Sequence, residues 1–180
     1  MKIALDLDQF SLVKNEAMGW IYYQARLFDE ATEQYLKTLE LDENFVHTHF
    51  FLGLTYIQQS KFKEAIAEFH KAKNILGRNS TVLAGLGLAY ALSGRRSRAE
   101  ALIDELEKMN RRKYVPRYFL AMIHAGLGNR DQAFAWFEKS FAEKESQLVW
   151  LQVEPSCDCL RKDSKFTDLG KRIGFPQLTL

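Results

Sequence analysis

The sequence predicts an all-α chain in which antiparallel helix pairs stack into a solenoid and a last helix caps the C-terminal end. Three observations predict it. Only three prolines occur in 180 residues, and Ala, Leu, Glu and Lys are abundant, a composition that favours helix. Residue types recur every 34 positions, and self-similarity at such a period marks a repeat architecture. Turn-forming stretches punctuate the period: "GRNS" at 77–80, "SGR" at 93–95 and "LGN" at 127–129.

The columns are explicit. Ala31 leads to Ala65, Ala99 and Ala133; Gly19 to Gly53, Gly87 and Ala121. Tyr22 leads to Tyr56, Tyr90 and His124; Tyr35 to Phe69, Ile103 and Phe137. Met18, Leu52, Leu86 and Leu120 precede the small residue each time. Each unit holds two apolar-periodic segments of about 14 residues, the length of a short globular helix. Glycine inside a helix costs about 1 kcal/mol against alanine, so Gly19, Gly53 and Gly87 are expected where two helices approach closely. The residue four after each alanine shares the alanine's helix face.

In chain order, "LDLD" at 5–8 matches "LELD" at 39–42, which ends a second helix. Residues 1–11 therefore read as the end of a truncated preceding repeat, from a piece of a longer protein or a degenerate first repeat. That edge exposes the apolar face of helix 12–25 and offers self-association around Leu5, Leu7, Leu12 and Val13. Four repeats follow at 12–45, 46–79, 80–113 and 114–147, with Ser80 and Asn129 as expected N-caps. The period then stops, and residues 148–180 read as a C-terminal cap. Phe166, Leu169 and Ile173 predict an amphipathic helix over 163–174, stopped by Gly174 with Pro176 beyond. Leu148, Trp150, Leu151 and Val153 are expected to anchor this tail on the last repeat.

The segments "MGWIY", "LGLTY" and "LGLAY", with "ATEQY", "AIAEF" and "AFAWF", resemble the tetratricopeptide repeat. The resemblance implies a right-handed solenoid that acts as a protein-protein interaction scaffold or adaptor and is not an enzyme. Departures are local: Asn15, His49, Leu83 and Arg117 replace an early aromatic, and Glu43, Gly77, Arg111 and Glu145 replace a closing proline. The stretch "AGLGNRDQAFAWFEKSF…LQVEPSCDCLRKDSKF" also resembles the repeat tails of bacterial winged-helix regulators, nucleotide cyclases and serine/threonine kinases. This implies an alternative role, a regulatory C-terminal tail of a larger signalling enzyme or transcription regulator. Cys157 and Cys159 stand where those tails carry an aromatic and a proline.

In this family the first helix of each pair lines the inner groove. The resemblance puts Trp20, Tyr23, Gln24, His47, Phe50, Leu54, Ile57, Leu88, Tyr118 and Met122 there, with Ala84, Ala91 and Ala125. The stripe reads either as a groove for a hydrophobic or amphipathic protein or peptide or as helix-to-helix core. A family variant grips chaperone carboxylates with inward cations. Here those positions carry Glu16, Trp20, Phe50, Phe51 and Leu54, so that partner is not expected.

Other functions find little support. A net charge of +2 is too small to argue for nucleic acid or an anionic membrane. Arg95, Arg96 and Arg98 lie about 20 Å along one helix from Arg111, Arg112 and Lys113, and the two groups read as solvated surface. The longest apolar run, "TVLAGLGLAYAL", has 12 residues, short of the ~20 that span a bilayer. The N-terminus lacks the apolar core of a secretory signal, and the neighbouring cysteines staple no loop, so a cytoplasmic location is expected. No metal-ligand spacing or cofactor motif is present. His47 and His49 face different ways, and His70 and His124 are isolated. Gly85 and Gly87 imitate a phosphate loop but fall in repeat columns, with no strand before them. No catalytic set emerges.

Overall fold

A computed structural model describes residues 10–175 of the chain. The match of residues 5–8 to 39–42, with Leu5 and Leu7, lies outside the described residues. Nine α-helices occur among the described residues: α1 Leu12–Gln24, α2 Phe28–Leu41, α3 Val46–Gln58, α4 Phe62–Leu76, α5 Ser80–Leu92, α6 Arg96–Asn110, α7 Arg117–Gly126, α8 Arg130–Ala142 and α9 Ser164–Ile173. Two 3-10 turns, Ser146–Trp150 and Pro155–Leu160, connect α8 to α9. Each helix of α1–α8 packs on the next, and α1, α3, α5 and α7 also touch in series. The result is the right-handed solenoid of helix pairs that the repeat predicts.

The repeated small residues have one cause. A Cβ on Gly19 would lie 2.5 Å from the Tyr35 ring, and one on Gly53 2.8 Å from the Phe69 ring. Gly85 meets the same Phe69 ring from the next helix. One buried aromatic on each of α2 and α4 therefore dictates glycine on the helices it touches. The links between paired helices repeat too. Arg26, Ser60, Gly94 and Gly128, spaced 34 apart, all adopt positive φ, between 59° and 76°. The first two are non-glycine residues held in a conformation that costs them about 1 kcal/mol.

Capping differs from expectation. Asn79 caps α5, accepting from the amides of Thr81 (2.9 Å) and Val82 (3.4 Å), and Ser80 is already helical. Asn129 stands at the start of α8 but makes no side-chain cap bond, because its backbone is not extended (ψ 67°). Asp163 caps α9, and Gly174 ends it at φ 96°. Arg172 on Glu138 and Lys165 on Asp131, at 2.8 Å, tie α9 to α8.

The core divides. A large cluster runs from Ile57 on α3 through Phe69, Leu83, Leu106, Leu120 and Phe137 to Leu151 and Leu169. A small one holds Tyr23, Ala31, Tyr35 and Leu52. The tail does more than cap the last repeat. Leu148 and Leu151 are buried as expected, while Trp150 and Val153 are exposed. Trp150 instead crosses the concave face to meet Trp20 of the first repeat, edge to face, at 5.1 Å.

Candidate functional site

The concave face is built from one column per repeat. Trp20, Leu54, Leu88 and Met122, again 34 apart, all line a single cavity of about 380 Å³. Phe50, Ala84 and Tyr118, four residues earlier on their helices, line it too. Spacing of four keeps a side chain on the same helix face. Phe51, Phe119 and Trp150 widen the apolar wall. Gln24, Thr81, Gln147, Glu154 and Ser156 are its polar members.

Five residues expected in the groove, Tyr23, His47, Ile57, Ala91 and Ala125, are absent from the lining. Tyr23 is fully buried, and Ile57 is 4% exposed. They share one column with Ala91 and Ala125, all four buried, so this column faces neighbouring helices and the tail. His47 is exposed, with its ring tilted against Phe45. Thr81, its counterpart one repeat on, does line the cavity. Ala91 and Ala125 likewise belong to the core.

Sequence reasoning missed the segment that closes this face. Residues 146–160 run across the concavity as a strap, fastened at both ends of the solenoid. Toward the last repeat it buries Leu148, Leu151, Cys157 and Leu160 in the large core. The Cys157 thiol sits 3.5 Å from Met122 Sδ and 4.0 Å from the Tyr118 hydroxyl. Toward the first repeats, the Tyr23 hydroxyl donates to Glu154 Oε1 at 2.5 Å, and Gln58 donates to Ser156 Oγ at 2.9 Å. The Arg26 guanidinium grips Asp158 through two bonds of 3.1 and 2.8 Å. Glu154 also caps the second 3-10 turn, accepting from the Ser156 amide at 3.1 Å. The signal for these contacts lies in residue type alone: a tyrosine at 23 and an arginine at 26 have no counterpart in later repeats.

Electrostatics keep the buried thiol and phenols around this site neutral. Burial pushes the Cys157 thiol and the Tyr23 and Tyr118 phenols well above their ordinary values, and the Glu154 charge adds to each. All three stay protonated at neutral pH. Among the described residues no group of three or more His, Cys, Asp and Glu gathers to hold a metal ion, and no helix is long and apolar enough to cross a membrane. A buried charged pair lies away from the cavity. His49 Nδ1 is 2.6 Å from Glu68, and its Nε2 is 2.7 Å from the Glu43 carbonyl. Both nitrogens face acceptors, so the ring donates twice and is charged. The Glu68 bond raises the His49 pKa above its ordinary value, against the opposing effect of burial.

Comparison with known proteins agrees with this architecture. Tetratricopeptide repeat (TPR) profiles match residues 16–81 and 114–139. The chain belongs to the tetratricopeptide repeat family. It is 25% identical over 152 residues to Superkiller protein 3 of Schizosaccharomyces pombe. That match takes 81% of this chain but spans only 11% of the relative's length. Among solved structures, YrrB, described as a TPR protein with an unusual peptide-binding site, superposes with a TM-score of 0.56 at 18% identity. The match covers 95% of this chain and 97% of YrrB. MamA superposes with a TM-score of 0.53 at 22% identity, over 82% of this chain and 86% of MamA. A TPR protein from Parabacteroides merdae ATCC 43184 gives 0.57 at 15% identity, over 96% and 69%. At these identities the structural likeness speaks for the fold.

Proposed function

We propose that the chain holds a protein or peptide partner through the strapped concave cavity, which receives the apolar side chains of a hydrophobic or amphipathic segment. The observation that carries this reading is the lining column: each repeat contributes one residue, Trp20, Leu54, Leu88 and Met122, to the same cavity. The rings of Trp20, Phe50, Phe51 and Phe119 there are only half-buried, and aromatic rings dominate binding hot spots. A cavity of about 380 Å³ lies in the range that takes a compact ligand or a few side chains, since the strap already occupies the rest of the concavity. The peptide-binding site in the description of YrrB supports a peptide as the kind of partner. Two free thiols, Cys157 and Cys159, fit a reducing compartment such as the cytoplasm.

The protein carries its own reporters for a test. Of the three tryptophans, Trp20 and Trp150 line the cavity, while Trp136 lies elsewhere beneath Lys139. In a Trp136→Phe background, a captured amphipathic peptide shifts the remaining emission, and Trp20→Ala weakens capture by roughly tenfold. Capture unchanged by Trp20→Ala, with helical circular dichroism intact, rejects the cavity as the site. A second reading, a regulatory stretch within a longer signalling protein, draws on the relative in which the matched part is 11% of the length. The size of the endogenous product on an immunoblot separates the two readings.

A further inference from the structure

We infer that the partner segment delivers a basic side chain into this cavity: a Lys or Arg flanked by apolar residues, its stem against the aromatic walls and its cationic head at Glu154. The inference rests on the reading of the cavity as the partner site and adds the chemistry of what enters it.

Glu154 is fixed and half satisfied. Its Oε1 accepts from both the Tyr23 hydroxyl and the Ser156 amide, whereas its Oε2 makes no hydrogen bond among the described residues. The carboxylate thus lines an apolar cavity with an acceptor to spare. Gln24, a second lining residue, carries a buried Oε1 that also lacks a partner among the described residues. Both unmet groups call for a donor, and neither suits a carboxylate ligand.

No Lys, Arg or His lines the cavity to neutralise Glu154. The arginines near the strap direct their hydrogen bonds to groups other than the Glu154 carboxylate. Arg26 is spent on Asp158. Arg161 bonds Asp158 and the carbonyls of Gln152 and Glu154. The negative charge is felt around the cavity: the phenols of Tyr23, Tyr35 and Tyr118 are raised first by burial and further by Glu154.

The walls suit the rest of a basic side chain. Aromatic faces attract cations, and the methylene stem of lysine or arginine prefers apolar surface. Trp20 and Trp150 meet at 82°, so their faces point in different directions at one corner. An aromatic corner beside a carboxylate attracts a cation from two sides, and it disfavours an acidic segment.

The test uses the Trp136→Phe chain and three Leu/Ala-rich amphipathic peptides that differ at one central position: Lys, Gln or Glu. Binding is read by tryptophan emission and calorimetry. The lysine peptide is expected to bind about tenfold tighter than the glutamine peptide, with the glutamate peptide weakest. Added salt should weaken the lysine peptide most. Glu154→Gln, which keeps acceptors for Tyr23 and Ser156, should bring the lysine peptide down to the glutamine level, with the thermal midpoint as a folding check. Equal affinity for the lysine and glutamine peptides overturns this inference and leaves the apolar cavity standing as the partner site. Tighter binding of the glutamate peptide overturns it outright. No binding by any of the three overturns both readings.

Discussion

The first repeat and the three that follow share one pattern but are held by different forces. From Ile57 onward one apolar cluster runs unbroken into the tail. Ahead of it, the fully buried apolar set is Tyr23, Ala31, Tyr35 and Leu52. What the first repeat lacks in apolar burial it gains in directed contacts from the strap: Trp20 on Trp150, Tyr23 on Glu154 and Arg26 on Asp158. In an ordinary repeat array, stability sums nearest-neighbour contacts. Here the end repeat is also tied to residues more than 130 positions away, so the array is not one-dimensional at its weakest member.

Three measurements break or sharpen that contrast. The largest effect falls on the continuous core. Phe69 is fully buried and fills the space left by Gly53 and Gly85. Phe69→Ala should cost about 3–5 kcal/mol and lower the urea midpoint for the whole described solenoid. A loss confined to one helix pair would mean the core is less continuous than its contacts. A middle effect tests the strap. Tyr23→Phe removes the hydroxyl from Glu154 and should cost about 1–2 kcal/mol. Amide exchange should quicken in α1 and α2 and hold steady in α5–α8; uniform quickening would erase the distinction between the regions.

The smallest effect lies at the boundary, in the His49–Glu68 pair. The folded pKa of His49 is raised above 6.5. Its contribution is therefore full below pH 6.5 and lost as pH rises through the raised value. Burial pushes the Glu68 carboxyl up, but its bonds to His49 and Lys71 outweigh that and hold it below 4.5. Its contribution is present above 4.5 and lost as pH falls through the lowered value. The stability gap between the natural chain and His49→Gln should thus be widest between those limits and narrow toward pH 9. A gap that is flat with pH would mean the ring is neutral in the folded state.

Much of this was legible from spacing. The glycine columns announced close helix contacts, and the structure supplies the rings of Tyr35 and Phe69 that require them. The column of Trp20, expected on the concave side, lines the cavity. The column of Tyr23, expected beside it, is buried instead, because a helical wheel cannot tell an inward face from the adjoining face that meets the next helix. Nor could periodicity reveal the strap. Its contacts rest on single side chains, such as Gln58 on Ser156 at a separation of 98, and a non-repeating segment offers no column to align. The linkers hid for another reason: Arg26 and Ser60 adopt the left-handed backbone that Gly94 and Gly128 advertise.

The strap also changes what kind of mechanical object this is. An open stack of helix pairs is a spring, whose pitch and mouth width drift with thermal motion. Fastening Tyr23 and Arg26 of the first turn to Glu154 and Asp158, on a segment rooted in the core of the last, makes it a hoop. A hoop cannot widen to swallow a bulkier guest without first opening its clasp. The partner segment proposed above would meet an aperture already set, and little further ordering of the scaffold would oppose its binding.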